Sequence, residues 1–159
     1  MKKELLEQAL DQINFEFESS YLYLSMATWA EYNGFPGTAK WMEKQAEEEI
    51  EHGKKMMHFL QEVNERVLLK PIAAVPTDFP GFVELFQLSL EHEKKVTARI
   101  NALYEAALAE KNYPMANLYN WFIDEQLEEE STLETILTRL EKVPTAIGMM
   151  QMDDRLGQR

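Results

Sequence analysis

The sequence predicts an all-α fold: a four-helix bundle with one long crossover between its second and third helices, followed by a short fifth helix. Three observations carry this. Four segments of similar length hold apolar residues at alternating steps of three and four, the spacing of a buried helical stripe. The six prolines and six glycines fall mostly between those segments and divide the chain into elements. Two of the connections are only a few residues long, whereas the stretch from Glu65 to Pro80 is much longer and carries Pro71, Pro76 and Pro80.

The first helix is expected over about 3–32, stopped at Asn33-Gly34, where glycine suits a left-handed terminator. The second is expected over about 37–64. The proline-bearing stretch that follows is irregular or extended. A third helix over about 81–111 is broken at Asn112-Tyr113-Pro114, and Pro114 suits the first turn of a fourth, which runs to about 142. Pro144 ends that helix, and Thr145 can cap a final one of about ten residues. The short connections make antiparallel hairpins of the first and second, and of the third and fourth, helices. The 65–80 stretch can span ~50 Å at ~3.3 Å per residue, against ~42 Å for a helix of 28 residues. It can therefore cross the whole bundle and make the second and third helices parallel.

The four stripes are Leu6, Ala9, Ile13, Glu16, Ser20, Tyr23, Ala27, Ala30; then Ala39, Met42, Ala46, Glu49, Gly53, Met56, Leu60, Val63; then Phe82, Phe86, Ser89, Glu93, Val96, Ile100, Leu103, Ala107; and Met115, Tyr119, Phe122, Gln126, Glu129, Leu133, Ile136, Leu140. Each is apolar at both ends and has a carboxylate near its middle. Several unpaired carboxylates buried at one level cost several kcal/mol each, and no Lys or Arg lies on any stripe to offset them. Either a cation compensates the charge or the groups take up protons. Glu16, Glu49, Glu93 and Glu129, with His52 and Gln126 beside them, offer oxygen and nitrogen donors suited to iron or manganese, with zinc able to compete.

Composition narrows the alternatives. With 45% hydrophobic residues in 159, the chain can bury one substantial core and reads as a single domain. No apolar run approaches the ~18 residues of a spanning helix, and the opening Met1-Lys2-Lys3-Glu4-Leu5-Leu6-Glu7-Gln8 meets acid and amide too early for a signal sequence. A cytoplasmic location is the default expectation. The absence of cysteine removes disulfides, thiolate metal sites, iron–sulfur clusters and thiol catalysis. A net charge of -12 argues against a nucleic-acid partner and suits binding of cations through oxygen ligands.

Spacing adds a further argument. Glu16 to Glu49 and Glu93 to Gln126 are both 33 residues, while Glu16 to His52 and Glu93 to Glu129 are both 36. The two hairpins are thus related by a shift of 77, which lays Glu47-Glu48-Glu49-Ile50-Glu51-His52 on Asp124-Glu125-Gln126-Leu127-Glu128-Glu129. Such a pseudo-repeat can place two metal ions side by side at the bundle centre, with Glu49 central enough to bridge them.

The run Asn14-Phe15-Glu16-Phe17-Glu18-Ser19-Ser20-Tyr21-Leu22-Tyr23 resembles the first-helix motif of the ferritins. Glu48-Glu49-Ile50-Glu51-His52, His92-Glu93 and the run Trp121 to Glu130 do so too, and the resemblance covers essentially the whole chain. Departures narrow it. Bacterioferritins repeat Glu-x-x-His in the second hairpin, where this chain has Gln126 and Glu129, and Ile50 stands where their haem-ligating methionine would be. Rubrerythrins usually append a cysteine-rich domain. Animal heavy chains are also similar, but Gln126 with Glu125 and Glu128 fits the haem-free bacterial type better.

The resemblance implies a di-iron centre without haem. Its first iron would be held by Glu16, Glu49 and His52, and its second by Glu49, Glu93 and Glu129, with Glu49 bridging and Gln126 close by. A third iron site toward the inner surface would use Glu48, Glu125, Glu128 and Glu129. Tyr23 would hydrogen-bond a ligand and donate an electron, acting with Glu49 and Gln126 in the reaction. Trp121 is expected to pack, His58 and His92 to be solvated, and Met149, Met150 and Met152 to form the packing face of the final helix. The implied activity is oxidation of Fe(II) by O2 or H2O2 and storage of ferric mineral in a homo-oligomeric 24-mer cage. A rubrerythrin-type peroxidase in a small oligomer and a non-catalytic helical assembly are the competing readings.

Overall fold

The computed structural model describes residues 1–159 and contains five helices and no strand: α1 (Lys3–Tyr32), α2 (Pro36–Glu62), α3 (Phe82–Ala109), α4 (Tyr113–Lys142) and α5 (Ala146–Leu156). Their ends follow local chemistry. Gly34 takes φ +82 after α1, and Asn64 and Lys111 take left-handed conformations at φ 62 and 56 after α2 and α3. The second of these turns closes α2 before Asn64. Asn112 accepts a hydrogen bond from the backbone N–H of Met115 at the start of α4, and Thr145 from that of Gly148 at the start of α5. No helix is long and apolar enough to cross a membrane.

The crossover climbs alongside α1. Asn14 holds both Lys70 N–H and the Pro71 carbonyl at 3.2 Å, Lys70 pairs with Asp11, and Ser25 donates to the Pro76 carbonyl. Phe79 then meets Trp29, and Phe82 at the head of α3 meets Phe35 at the head of α2, ring centroids 4.5 Å apart. Helices α2 and α3 therefore start at the same end of the bundle and run parallel.

All stripe positions are buried except Leu6, half-buried while Leu5 takes its place, and Val63, exposed just past the end of α2. The apolar core divides into two clusters, one on each side of the layer that holds the buried acids. Gly53 belongs to that level because a Cβ there would stand 2.8 Å from the Phe17 ring, so α1 and α2 approach closely beside the acids.

Two expectations at the periphery are corrected. Met152 is buried and Met149 half-buried, but Met150 is 64% exposed, because the short helix offers only one narrow face to α2 and α4. His92 is half-buried rather than freely solvated. It stacks on Phe15 and has Nε2 2.6 Å from Ser19 Oγ, and burial with the Lys95 charge lowers its pKa to about 4. His58 is exposed as expected.

Candidate metal centre

Each helix delivers its mid-stripe carboxylate to the gap between the two apolar clusters. Glu16, Glu49 and Glu93 are 0–1% exposed and Glu129 7%. No Lys or Arg nitrogen lies within salt-bridge distance of any of the four; the one cationisable group that does is His52. Four acids are thus gathered out of water without a protein countercharge, a costly arrangement unless protons or a cation join them.

Their electrostatics reflect this. Burial, reinforced by the Glu93 and Glu16 charges, holds the Glu49 carboxyl well above the usual range. Glu129 is pushed up to about 8 by burial and by Glu93, against the opposing hydrogen bond from Gln45. Glu93 is raised by burial, although bonds from Tyr23 and Gln126 pull the other way. At neutral pH the metal-free centre therefore retains protons that a cation can displace.

Ligand atoms of Glu16, Glu49 and His52 lie within 4.8 Å of one another. His52 Nδ1 is 3.4 Å from Glu49 Oε2 and 3.9 Å from Glu16 Oε2. Glu16 Oε2 and Glu49 Oε1 are buried with no hydrogen-bond partner. Buried acceptors are almost always satisfied, so these two oxygens, on residues grouped with His52, fit a cation. Carboxylate and imidazole are donors that iron accepts.

A second trio, His52, Glu125 and Glu129, meets the same 4.8 Å limit, with His52 Nε2 3.7 Å from Glu125 Oε1. Glu93 belongs to neither trio, and both of its oxygens are engaged: Tyr23 donates to Oε1 at 2.6 Å and Gln126 Nε2 to Oε2 at 3.0 Å. Gln126 also reaches the Glu93 carbonyl and Thr97 Oγ1. Glu48, Glu125, Glu128 and Glu129 line one open cavity of about 330 Å3 next to the centre. Glu47 and Glu51 face solvent. Trp121 packs edge-on against His52 and Phe122 under the Lys55 ammonium, and its other side is open.

Several supporting residues lie outside the four stripes. Gln12 donates to Glu16 Oε1 at 2.7 Å and itself accepts from Arg99 Nε at 2.6 Å. Gln45 donates to Glu129 Oε2 at 2.6 Å and accepts from Arg159 at 2.7 Å. Each arrangement is an Arg–Gln–Glu chain that fixes one carboxylate oxygen and brings positive charge no nearer than one residue away. Gln12 and Gln45 stand one turn before Glu16 and Glu49 and are themselves 33 residues apart, which is the signal in the sequence that could have found them.

Residues 6–143 match the family model described as the ferritin-like domain. A probable bacterial non-heme ferritin-like protein of Haemophilus influenzae is 36% identical over 148 residues, covering 92% of this chain and 90% of its own. The bacterial non-heme ferritin of Staphylococcus haemolyticus is 37% identical over 143 residues, covering 90% and 86%. In three dimensions the open-pore ferritin of the hyperthermophilic archaeon Archaeoglobus fulgidus superposes with TM-score 0.97 at 34% identity, covering 100% of this chain and 99% of its own. A bundle of this topology, with uncompensated acids at its midpoint and relatives of this closeness along its length, belongs to the ferritin family.

Proposed function

We propose that the chain is a ferroxidase and iron-storage subunit, which binds Fe(II) as substrate at the buried acids and oxidises it with O2 or peroxide. The observation that carries this is the pair of unpartnered, buried oxygens, Glu16 Oε2 and Glu49 Oε1, on two residues whose carboxylates also reach His52, in a layer without any Lys or Arg. In this reading Glu16, Glu49 and His52 hold one Fe(II), and Glu49, Glu93 and Glu129, with Gln126 beside them, hold the other. Glu48, Glu125 and Glu128 line the way out.

The anionic layer favours the product, because four carboxylates stabilise the higher charge of Fe(III) more than that of Fe(II). Two Fe(II) supply two electrons. O2 accepts them with two protons to give hydrogen peroxide, or peroxide accepts them with two protons to give two waters. Holding both ions at one centre lets the oxidant take both electrons in a single encounter. The protons that Glu49 and Glu129 hold in the metal-free centre leave as Fe(II) binds. Tyr23 anchors Glu93 by donating its phenol hydrogen to that carboxylate at 2.6 Å. The ferric product then leaves by the Glu48–Glu125–Glu128 cavity into a 24-subunit shell.

The test is the double variant Glu49→Ala/His52→Ala, followed by optical detection of Fe(III) after Fe(II) is mixed with O2. Rapid oxidation is expected to fall by about a hundredfold or more, the scale on which electrostatic stabilisation and positioning act. Oxidation at the wild-type rate overturns the assignment. Solution mass is the second measurement: a dimer or tetramer in place of a large shell refutes the cage.

A further inference from the structure

A cavity at the C-terminal end of the chain has the opposite electrical character from the centre. It measures about 480 Å3, lies between α5 and the second half of α4, and has no Asp or Glu among its 11 lining residues. That is unexpected for a chain with 28 acidic and 16 basic residues. Arg139, Arg155 and Arg159 all line it, three of the five arginines in the sequence. Neither Arg139 nor Arg155 makes a salt bridge to any carboxylate. The α4 wall adds Ser131, Thr132 and Thr135, whose hydroxyls are not used in any hydrogen bond within the chain. Arginines in the last turns of α4 and α5 offset the helix dipoles. That role explains neither the missing acids nor the free hydroxyls.

We propose that this cavity binds a tetrahedral oxyanion of the phosphate class. Guanidinium forks match such an anion with paired N–H donors, and serine and threonine hydroxyls complete its shell. One of the three forks is shared. Arg159 holds Glu48 Oε1 at 2.6 Å and Gln45 Oε1 at 2.7 Å while stacked over Trp41. Trp41, Thr132 and Arg159 line both this cavity and the acidic one beside the centre. A bound oxyanion therefore competes with Glu48 for the same guanidinium, and the oxyanion site and the acidic cavity are thermodynamically linked.

Equilibrium dialysis of the metal-free assembled protein against radiolabelled inorganic phosphate tests this, and it needs no iron, so its outcome is independent of the ferroxidase reading. Saturable binding of one phosphate per chain is expected. It should weaken about tenfold for each guanidinium removed in Arg139→Ala/Arg155→Ala. Both arginines are exposed in the single chain, so helical content should be unchanged in that variant, and its assembly mass is measured beside the wild type. Glu48→Gln should bind phosphate more tightly than Glu47→Gln, which removes the same charge from the neighbouring position but leaves Arg159 its partner. Non-saturable binding, or binding indifferent to the double arginine variant, overturns the site. Equal affinities in Glu48→Gln and Glu47→Gln overturn the sharing of Arg159. In crystals soaked with tungstate, the anomalous peak should fall between the three arginines, and a peak elsewhere refutes the location.

Discussion

At the scale of single residues, the centre depends on polar groups that keep one oxygen of a carboxylate fixed and leave the other free. Glu93 is the exception, since Tyr23 and Gln126 occupy both of its oxygens. The two donors lower its proton affinity against the effect of burial. Tyr23→Phe removes one of them in a fully buried site and leaves Glu93 holding its proton more tightly. A hydrogen bond to a charged group is worth about 1.5–3 kcal/mol. Anaerobic titration of Tyr23→Phe with Fe(II) should therefore show the loosest site weakened by about tenfold, more at pH 6 than at pH 8, because more protons must be displaced at the lower pH. Affinity unchanged at both pH values would show that Tyr23 does not set the charge state of Glu93. The gathering of Glu16, Glu49, Glu93 and Glu129 was legible in the sequence because they interrupt apolar stripes, and that of His52 because it stands three residues after Glu49. Gln12, Gln45 and Arg159 were not, since they lie beside the stripe and act through an intermediary. His92 was misread as solvated because its cover, Phe15, comes from another helix at a position that no periodicity marks.

At the scale of elements, helix ends were legible to within one or two residues wherever a glycine, proline, asparagine or threonine stops or caps the chain. The head of α2 opens on Pro36, but Phe35 before it offers no side-chain cap. The cap comes instead from α5, where Asp153 accepts from Thr38 N–H at 2.7 Å and from Gly37 N–H at 3.3 Å. Gly37 also permits the contact, because a Cβ there would stand 1.9 Å from the Asp153 carbonyl oxygen. A cap borrowed from an element more than a hundred residues away cannot be read from local sequence. Asp153→Ala removes two partners of orphan N–H groups and a negative charge from the positive end of a 27-residue helix. It should cost about 1–2 kcal/mol and loosen α5 first. Hydrogen exchange should show faster exchange across 146–156 and at Gly37 and Thr38, with the middle of the bundle unaffected. Protection unchanged over 146–156 would mean that α5 is held by Met152 and Leu156 alone.

At the scale of the whole molecule, stability depends on the charge of the central layer, and the proposed metal binding would be coupled to it. Burial raises Glu49, Glu93 and Glu129, with Glu129 reaching about 8, whereas in the unfolded chain each titrates near about 4.3. The sign follows: between those values the folded state binds more protons than the unfolded state, so the metal-free protein loses stability as pH rises from about 5 to 8. Each proton so held contributes a slope of up to about 1.4 kcal/mol per pH unit. A divalent cation bound by the same acids takes over the role of the protons and removes that slope. The melting temperature of the metal-free protein should fall by several degrees between pH 5.5 and pH 8, while that of the anaerobic Fe(II)-loaded protein stays nearly flat. General repulsion in a chain of net charge -12 also favours lower pH, so Glu49→Gln and Glu47→Gln are the comparison. Both remove one acid, but only Glu49→Gln removes a buried one, and it alone should flatten the metal-free curve. If both variants flattened it equally, the slope would belong to the surface charge and the buried layer would not be its source.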